Sequence, residues 1–279
     1  MGEKLKFGVS SRLDDMKAIT VAREICFEIS AQGHEVIIDE RIYSYLDHLN
    51  LKHAPISSMK DIDIFVSMGG DGTLLERVHE LLETDTKALL LGVKYGHIGF
   101  LCEVTPEEFW EALAKLEAKN YNVEERRLLS VTWQGGRYNA LNDILITPSR
   151  PGKTVEIIIK KDDDLIYKGR CDGVLISTSL GSTAYLASRG GPIIDPELDV
   201  MIVDVMNPLL WGFRTLILPI DSHLRIVSSK GSLLIVDGMI VGEIQANANI
   251  EISGSENKVR FVRFNKFYDK VRKRAVTEI

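Results

Sequence analysis

Asp61-Ile62-Asp63-Ile64-Phe65-Val66-Ser67-Met68-Gly69-Gly70-Asp71-Gly72-Thr73-Leu74-Leu75 changes from one hydrophobic period to another across a glycine-rich turn. Before the turn, apolar residues fall on alternate positions of 61–68, which predicts a largely buried strand. Beyond it, Leu74, Leu75, Val78, Leu81 and Leu82 recur at helical spacing. Glycines between a strand and a helix let the backbone come close to a bound group, and the amides opening the helix favour an anion such as phosphate. A carboxylate in such a turn repels phosphate, so Asp71 reads as a metal ligand or as a base beside the phosphate. On local chemistry alone, a plain strand-to-helix turn with Asp71 or Thr73 as the helix cap stays open. Two better-known nucleotide motifs fail. Gly70-x-Gly72 is followed by Leu75 where the dinucleotide fingerprint needs a third small residue. Gly152-Lys153-Thr154 has Thr147 where a P-loop needs its first glycine, and it lies between two strand-like runs, which predicts a hairpin connection.

Outward from the turn, the first part of the chain alternates strand and helix, the pattern of a parallel sheet wrapped by helices. Leu5–Val9, Val36–Ile38 and Ala88–Val93 read as strands. Met16, Ile19, Ala22, Cys26 and Ile29 mark an amphipathic helix ending near Gly33. Thr105-Pro106-Glu107-Glu108 reads as a capping box with proline at the first helical position. That box opens a helix with Phe109, Leu113 and Leu116 facing inward, ending near Asn120. From Leu128 the texture changes to short apolar runs separated by Gly, Ser, Asp or Pro, such as Val155–Ile159, Leu224–Val227 and Leu233–Val236. This predicts an all-β sandwich, with one helical interruption at Thr183–Arg189. The expected fold is therefore an α/β N-terminal domain with a parallel sheet over residues 1–125 and an all-β sandwich C-terminal domain over 126–279, whose tail is open to packing back on the first domain. Phe261–Phe264 reads as a last strand, and the basic run Lys270–Arg274 as a solvated terminal face.

Bulk composition excludes several classes. With 279 residues, 45% apolar and 27% charged, the chain has the make-up of an ordinary soluble protein with ample core. A net charge of −6 argues against non-specific nucleic-acid binding while leaving room for local basic pockets. Cys26, Cys102 and Cys171 are widely spaced, without a Cys-x-x-Cys, which fits a reducing cytoplasm and structural thiols. The run Gly2-Glu3-Lys4 leads straight into a strand, so no signal peptide is read, and no apolar run has the length of a membrane span. The histidines share no helix face at ligand spacing, and none is assigned to a metal.

A second glycine cluster, Gly92-Val93-Lys94-Tyr95-Gly96-His97-Ile98-Gly99-Phe100-Leu101, follows the next strand. Ligands of open parallel sheets bind beyond the carboxyl ends of strands, where both clusters fall. In the β half, Asn142-Asp143 stands between apolar neighbours, and Arg170-Cys171-Asp172-Gly173 leads a strand into Ser177-Thr178-Ser179-Leu180-Gly181-Ser182-Thr183-Ala184-Tyr185. Hydroxyls concentrated at a helix start suit ribose hydroxyls and phosphate oxygens, with an aromatic for ring contact. The same stretch equally reads as a hydroxyl-capped turn with Tyr185 in the core.

Taken together and in order, these stretches resemble the NAD kinase family, whose members transfer a phosphoryl group to the 2′-hydroxyl of the adenosine ribose of NAD. The Gly69–Thr73 turn is shared with diacylglycerol, sphingosine and phosphofructokinase relatives; Gly181–Tyr185 with its trailing Gly190-Gly191-Pro192 is the family-specific part. The resemblance implies NAD bound between an α/β and a β-sandwich domain, with ATP or polyphosphate as donor and Mg²⁺ or another divalent cation held by donor phosphates and Asp71. Asp71 would be the base that accepts the 2′-hydroxyl proton, or would act through Mg²⁺, and Gly70, Gly72 and Thr73 would shape the phosphate site. Asn142 and Asp143 would hold the ribose and adenine region. Arg170 and Asp172 would orient the other end of the dinucleotide, and Thr183, Ala184, Tyr185 and Ser188 would line its pocket. It further implies NADP as product, no nucleic-acid or membrane partner, and a homodimer or homotetramer in the cytoplasm. The chain departs from the family pattern at Asp143 (usually Glu), Ser179-Leu180 (Thr-Pro), Leu209 (often His), Met239 (Gln) and Glu76 (often basic, here beside Arg77). A lipid kinase of the same superfamily and a non-catalytic NAD(P) sensor are the alternative readings.

Overall fold

A computed structural model describes residues 4–84, 86–95, 99–209 and 212–275. Gly96, His97 and Ile98 of the second glycine cluster lie outside the described residues. Two compact units divide the chain: Met1–Glu125 with Val259–Ile279, and Arg126–Lys258.

In the first unit, strands and helices alternate as β1 (Lys6–Ser11), α1 (Met16–Ala31), β2 (Glu35–Asp39), α2 (Glu40–Tyr43), β3 (Lys52–Ala54), β4 (Ile64–Gly69), α3 (Asp71–Leu82), β5 (Leu89–Lys94) and α4 (Phe109–Glu117). The sheet runs β5-β4-β1-β2-β3 with every pairing parallel, and Phe261 pairs in parallel with Leu90 of β5. Because β2 and β3 lie on one side of β1 and β4 on the other, winding reverses between β1 and β4. That is the switch point at which such sheets leave a crevice beyond their carboxyl ends. Alternation alone does not describe β4, whose six residues are all buried, as a central parallel strand covered on both faces requires. Helix α1 begins where the Asp15 carboxylate accepts from the Lys17 amide, and its buried stripe of Ile19, Ala22, Cys26 and Ile29 packs with Phe7, Val9 and Val66.

Two sequence expectations shift here. The Thr105–Glu108 box forms, with the Thr105 amide donating to Glu108 Oε2 at 2.8 Å, yet α4 starts only at Phe109. Phe109 N–H reaches back to the Pro106 carbonyl, a tighter three-residue closure that precedes the α-helix proper. The basic tail is not a solvated face throughout. It belongs to a helix, Phe267–Ala275, and the Lys270 side chain, only 12% exposed, lies against backbone carbonyls and Glu103.

The second unit is antiparallel. Its strands are β6 (Asn122–Trp133), β7 (Gly136–Ala140), β8 (Asp143–Pro148), β9 (Val155–Lys161), β10 (Asp164–Cys171), β11 (Gly173–Thr178), β12 (Val200–Met206), β13 (Leu216–Pro219), β14 (Leu224–Ser228), β15 (Ser232–Val236), β16 (Met239–Ile244) and β17 (Asn249–Arg263). The first residues of β6 and the last of β17 belong to the first unit. One sheet runs β10-β9-β14-β17, with β6 pairing β17 and β7; the other runs β13-β12-β11-β8-β15-β16. Inward residues of both sheets, including Val131, Ile144, Ile157, Val174, Val203, Ile226, Leu234 and Ile250, make one core, so the unit is a sandwich. The Gly152-Lys153-Thr154 segment is not a hairpin connection. It carries the chain from β8 in one sheet to β9 in the other, because each strand already has antiparallel partners on both sides in its own sheet.

Candidate active site

At the switch point, α3 opens at Asp71 with Gly70 as its N-cap, which makes no side-chain cap bond. Asp71 is therefore not the N-cap of its helix, and a helix start of this kind favours an anion. The Asp71 carboxylate turns instead to the segment after β5. Its Oδ2 accepts from the Phe100 amide at 2.6 Å and its Oδ1 from the Cys102 amide at 3.0 Å. Gly99 is required by this approach, since a Cβ there would stand 2.1 Å from Oδ1 and 2.2 Å from the carboxyl carbon. The structure thus joins the two glycine clusters through Asp71.

Each Asp71 oxygen accepts one backbone N–H, and the buried Cys102 thiol lies beside the carboxylate. No group of three or more His, Cys, Asp or Glu converges among the described residues. That donor set fits Mg²⁺ as an ion carried by substrate phosphates and water with one protein carboxylate, the arrangement this cation favours. Glu76 is exposed, and the buried Arg77 beside it is committed to acids of its own helix, Glu76 at 3.2 Å and Glu80 at 2.7 Å. Neither presents a cation to the turn.

In the second unit the Asn142-Asp143 pair sits at the start of β8 and is held by a residue from another strand connection. Asp237, in the turn between β15 and β16, accepts from the amides of Leu141, Asn142 and Asp143 at 2.7, 2.8 and 2.8 Å. From the other side, Thr178 Oγ donates to the Leu141 carbonyl at 2.7 Å and Ser177 Oγ to the Asn142 carbonyl at 3.2 Å. Gly181 closes on the same loop, where a Cβ would meet the Asn142 carbonyl oxygen at 2.0 Å.

The hydroxyl-rich stretch divides into two groups. Ser177, Thr178 and Ser182 are buried and used internally, Ser182 bridging the Ser179 carbonyl and the Ile194 amide. Tyr185 is 41% exposed, which corrects the reading that places it in the core. It opens a four-residue turn, α5 (Tyr185–Ser188), whose Ser188 is also exposed. Thr183 donates to the Leu180 carbonyl, and Ala184 is half-buried between the two short turns. Arg170 donates to Thr154 Oγ at 2.9 Å and Asp172 accepts from Asn207 at 2.8 Å, so this pair is fixed beside the Leu209 connection. Leu209 and Met239, two departures from the family pattern, are both exposed; Leu210 and Trp211 lie outside the described residues.

Burial pushes the Asp143 carboxyl up to about 7, with the charge of Asp237 beside it adding to the shift. The folded state thus binds this proton more tightly than the unfolded chain. The resulting stability is fully present below 3.8 and is lost as pH rises towards about 7. Asp143→Asn removes the ionisation. In urea unfolding at roughly pH 5 and pH 8, the native chain is expected to lose on the order of 2–4 kcal/mol more than the variant between the two. Parallel pH profiles for the two chains would show that Asp143 is not the group responsible.

An acid at the switch point of a parallel sheet, beside an uncapped helix start, followed by a β-sandwich, defines the chain's class: a two-unit protein with an anion-receptive turn. Family comparisons narrow it. The ATP-NAD kinase N-terminal domain model matches residues 7–121, and the ATP-NAD kinase C-terminal domain model matches residues 141–264. The NAD kinase of Methanothermobacter thermautotrophicus is 34% identical over 98% of this chain and 96% of its own length. That of Thermococcus kodakarensis is 33% identical over 94% of this chain and 95% of its own. The chain belongs to the NAD kinase family. Among solved structures, yeast NADH kinase complexed with NADH superposes with a TM-score of 0.87 at 22% identity, over 96% of this chain and 86% of that one. An NAD kinase from Archaeoglobus fulgidus in complex with ATP superposes at 0.72 with 24% identity, over 96% and 99%. At these identities the likeness is one of fold.

Proposed function

We propose that the chain is an NAD kinase that moves the terminal phosphoryl group of ATP to the 2′-hydroxyl of the adenosine ribose of NAD, giving NADP. The observation that carries this reading is the Asp71 carboxylate, fixed by two backbone amides at the switch point in a chain of this family. The residues of 1–125 act on the phosphoryl group. Those of 126–258 hold the dinucleotide: Asn142 and Asp143 at its adenosine end, Arg170 and Asp172 at the other, and Thr183, Ala184, Tyr185 and Ser188 along it.

The 2′-hydroxyl gives its proton to an Asp71 oxygen as the ribose oxygen bonds to phosphorus, and the bond from that phosphorus to the β-phosphate bridging oxygen breaks to release ADP. Little covalent help is needed, because phosphoryl transfer depends on in-line positioning and charge neutralisation. The amides of Gly72 and Thr73 receive phosphate oxygens at the helix start. Asp71 and the donor phosphates would hold a divalent cation, which would supply the remaining charge neutralisation. We assign the chain to a reducing cytoplasm on its free, buried cysteines, and to a homodimer or homotetramer on the family resemblance.

The test is a turnover assay with NAD, ATP and Mg²⁺, detecting NADP with an NADP-specific dehydrogenase. NADP formation is the expected result. No NADP with ATP or with polyphosphate, alongside measurable NAD binding, overturns it in favour of a sensor; absence of both turnover and binding points to another acceptor.

A further inference from the structure

We propose that Arg263 and Lys270, from the C-terminal segment, are positioning residues that hold the Asp71 carboxylate in place through the backbone of residues 99–103. The proposal rests on the reading of Asp71 as the base.

The segment after β5 presents its two sets of backbone groups in opposite senses. The amides of Phe100 and Cys102 donate to Asp71. The carbonyls of Phe100 and Cys102 accept from Lys270 Nζ at 3.2 and 3.1 Å, and the Leu101 carbonyl accepts from Arg263 Nη1 at 2.8 Å. The peptide joining Leu101 to Cys102 therefore has a guanidinium on its oxygen and the Asp71 carboxylate on its N–H. A cation at one end and an anion at the other polarise a peptide in the same sense, so the two contacts strengthen each other.

Glu103 fixes the cations to the loop. Its fully buried carboxylate accepts from the Phe264 and Asn265 amides at 2.8 Å each, from Lys270 at 2.7 Å and from Arg263 at 3.2 Å. Glu124 adds a second anion on Arg263 at 2.9 Å. Burial holds the Lys270 ammonium below the ordinary lysine range, Arg263 adding to that and Glu103 opposing it. A helix can dock through apolar contact alone, at a smaller desolvation cost than two cations taken out of water. What these cations touch is the back of the loop that grips Asp71. A displacement of the loop reaches Asp71 through the Phe100 and Cys102 amides, and the carboxylate fills the space a Cβ at Gly99 would take.

The experiment is a double-mutant cycle on the full chain: Lys270→Met, Asp71→Asn and both together, with steady-state kinetics for NAD and ATP and calorimetric NAD binding. Lys270→Met is expected to lower kcat by ~10- to 10²-fold with KM for NAD within about twofold, the size of effect a misplaced catalytic group produces. In the Asp71→Asn background it is expected to cost nothing further, because the group it positions is gone. An equal fall in both backgrounds, or a loss confined to melting temperature, overturns the proposal and leaves a structural clasp. Undiminished turnover in Asp71→Asn alone is the separate failure of the base reading. If Lys270→Met does not fold, Lys270→Gln is read in the same cycle, with Lys270→Arg restoring kcat as the charge-keeping control.

Discussion

Asp71→Asn is expected to leave the chain folded and NAD bound while turnover falls ~10²–10⁴-fold, the range a positioned base contributes. The substitution keeps the shape of the side chain and removes its ability to take a proton. Its structural effect is limited and calculable. The two donors, Phe100 N–H and Cys102 N–H, reach different oxygens. One of them therefore meets an NH₂ group in the variant and loses its acceptor, costing about 1–3 kcal/mol if no water replaces it. Melting temperature and calorimetric NAD affinity record that cost apart from catalysis. A variant that melts a few degrees lower, binds NAD normally and makes almost no NADP fits the base. Turnover within a few-fold of native would remove Asp71 from that role whatever its stability.

The parts of this molecule written in local sequence were legible, and those set by long-range contact were not. The strand-turn-helix at Gly69–Thr73 follows from a change of hydrophobic period, and the sandwich from short runs between turn residues. Both depend on neighbours within a few residues. That Asp71 bonds to Phe100 and Cys102 could not be read, because it depends on β5 lying beside β4 in the sheet. The hydroxyls of Ser177, Thr178 and Ser182 looked alike to those of Thr183 and Ser188, yet only the first three are buried among carbonyls and amides of their own unit. Lys270 sits in a basic run with the composition of a solvated face. Its burial is decided by Glu103, far away in sequence. The target of the Asp237 carboxylate, the amides of 141–143, had no local signal at all.

Asp237→Ala is the substitution expected to cost most stability in the second unit. The carboxylate satisfies three consecutive amides at the β7–β8 junction, two on Oδ1 and one on Oδ2. Leu141 and Asp143 are buried, so water does not readily replace it. At about 1–3 kcal/mol for each orphaned donor, with partial relaxation, the loss is roughly 3–6 kcal/mol. A left-handed backbone at Asp237, φ +49°, adds a penalty for alanine that asparagine does not share. For a chain of this size each kcal/mol is worth about 2–4 °C, so a fall of at least ~6 °C in the melting of the sandwich is expected. Asp237→Asn keeps an acceptor and the favourable backbone, and is expected to fall between the two. The charge of Asp237 is also the second cause of the raised Asp143 carboxyl. Its removal should therefore move the pH-dependent loss of stability to lower pH. NAD affinity should weaken with the loop, because Asn142 and Asp143 lose the group that fixes their backbone. A melting temperature within about 2 °C of native, given the same scale, would mean that the three amides find other partners and that Asp237 does not hold this loop.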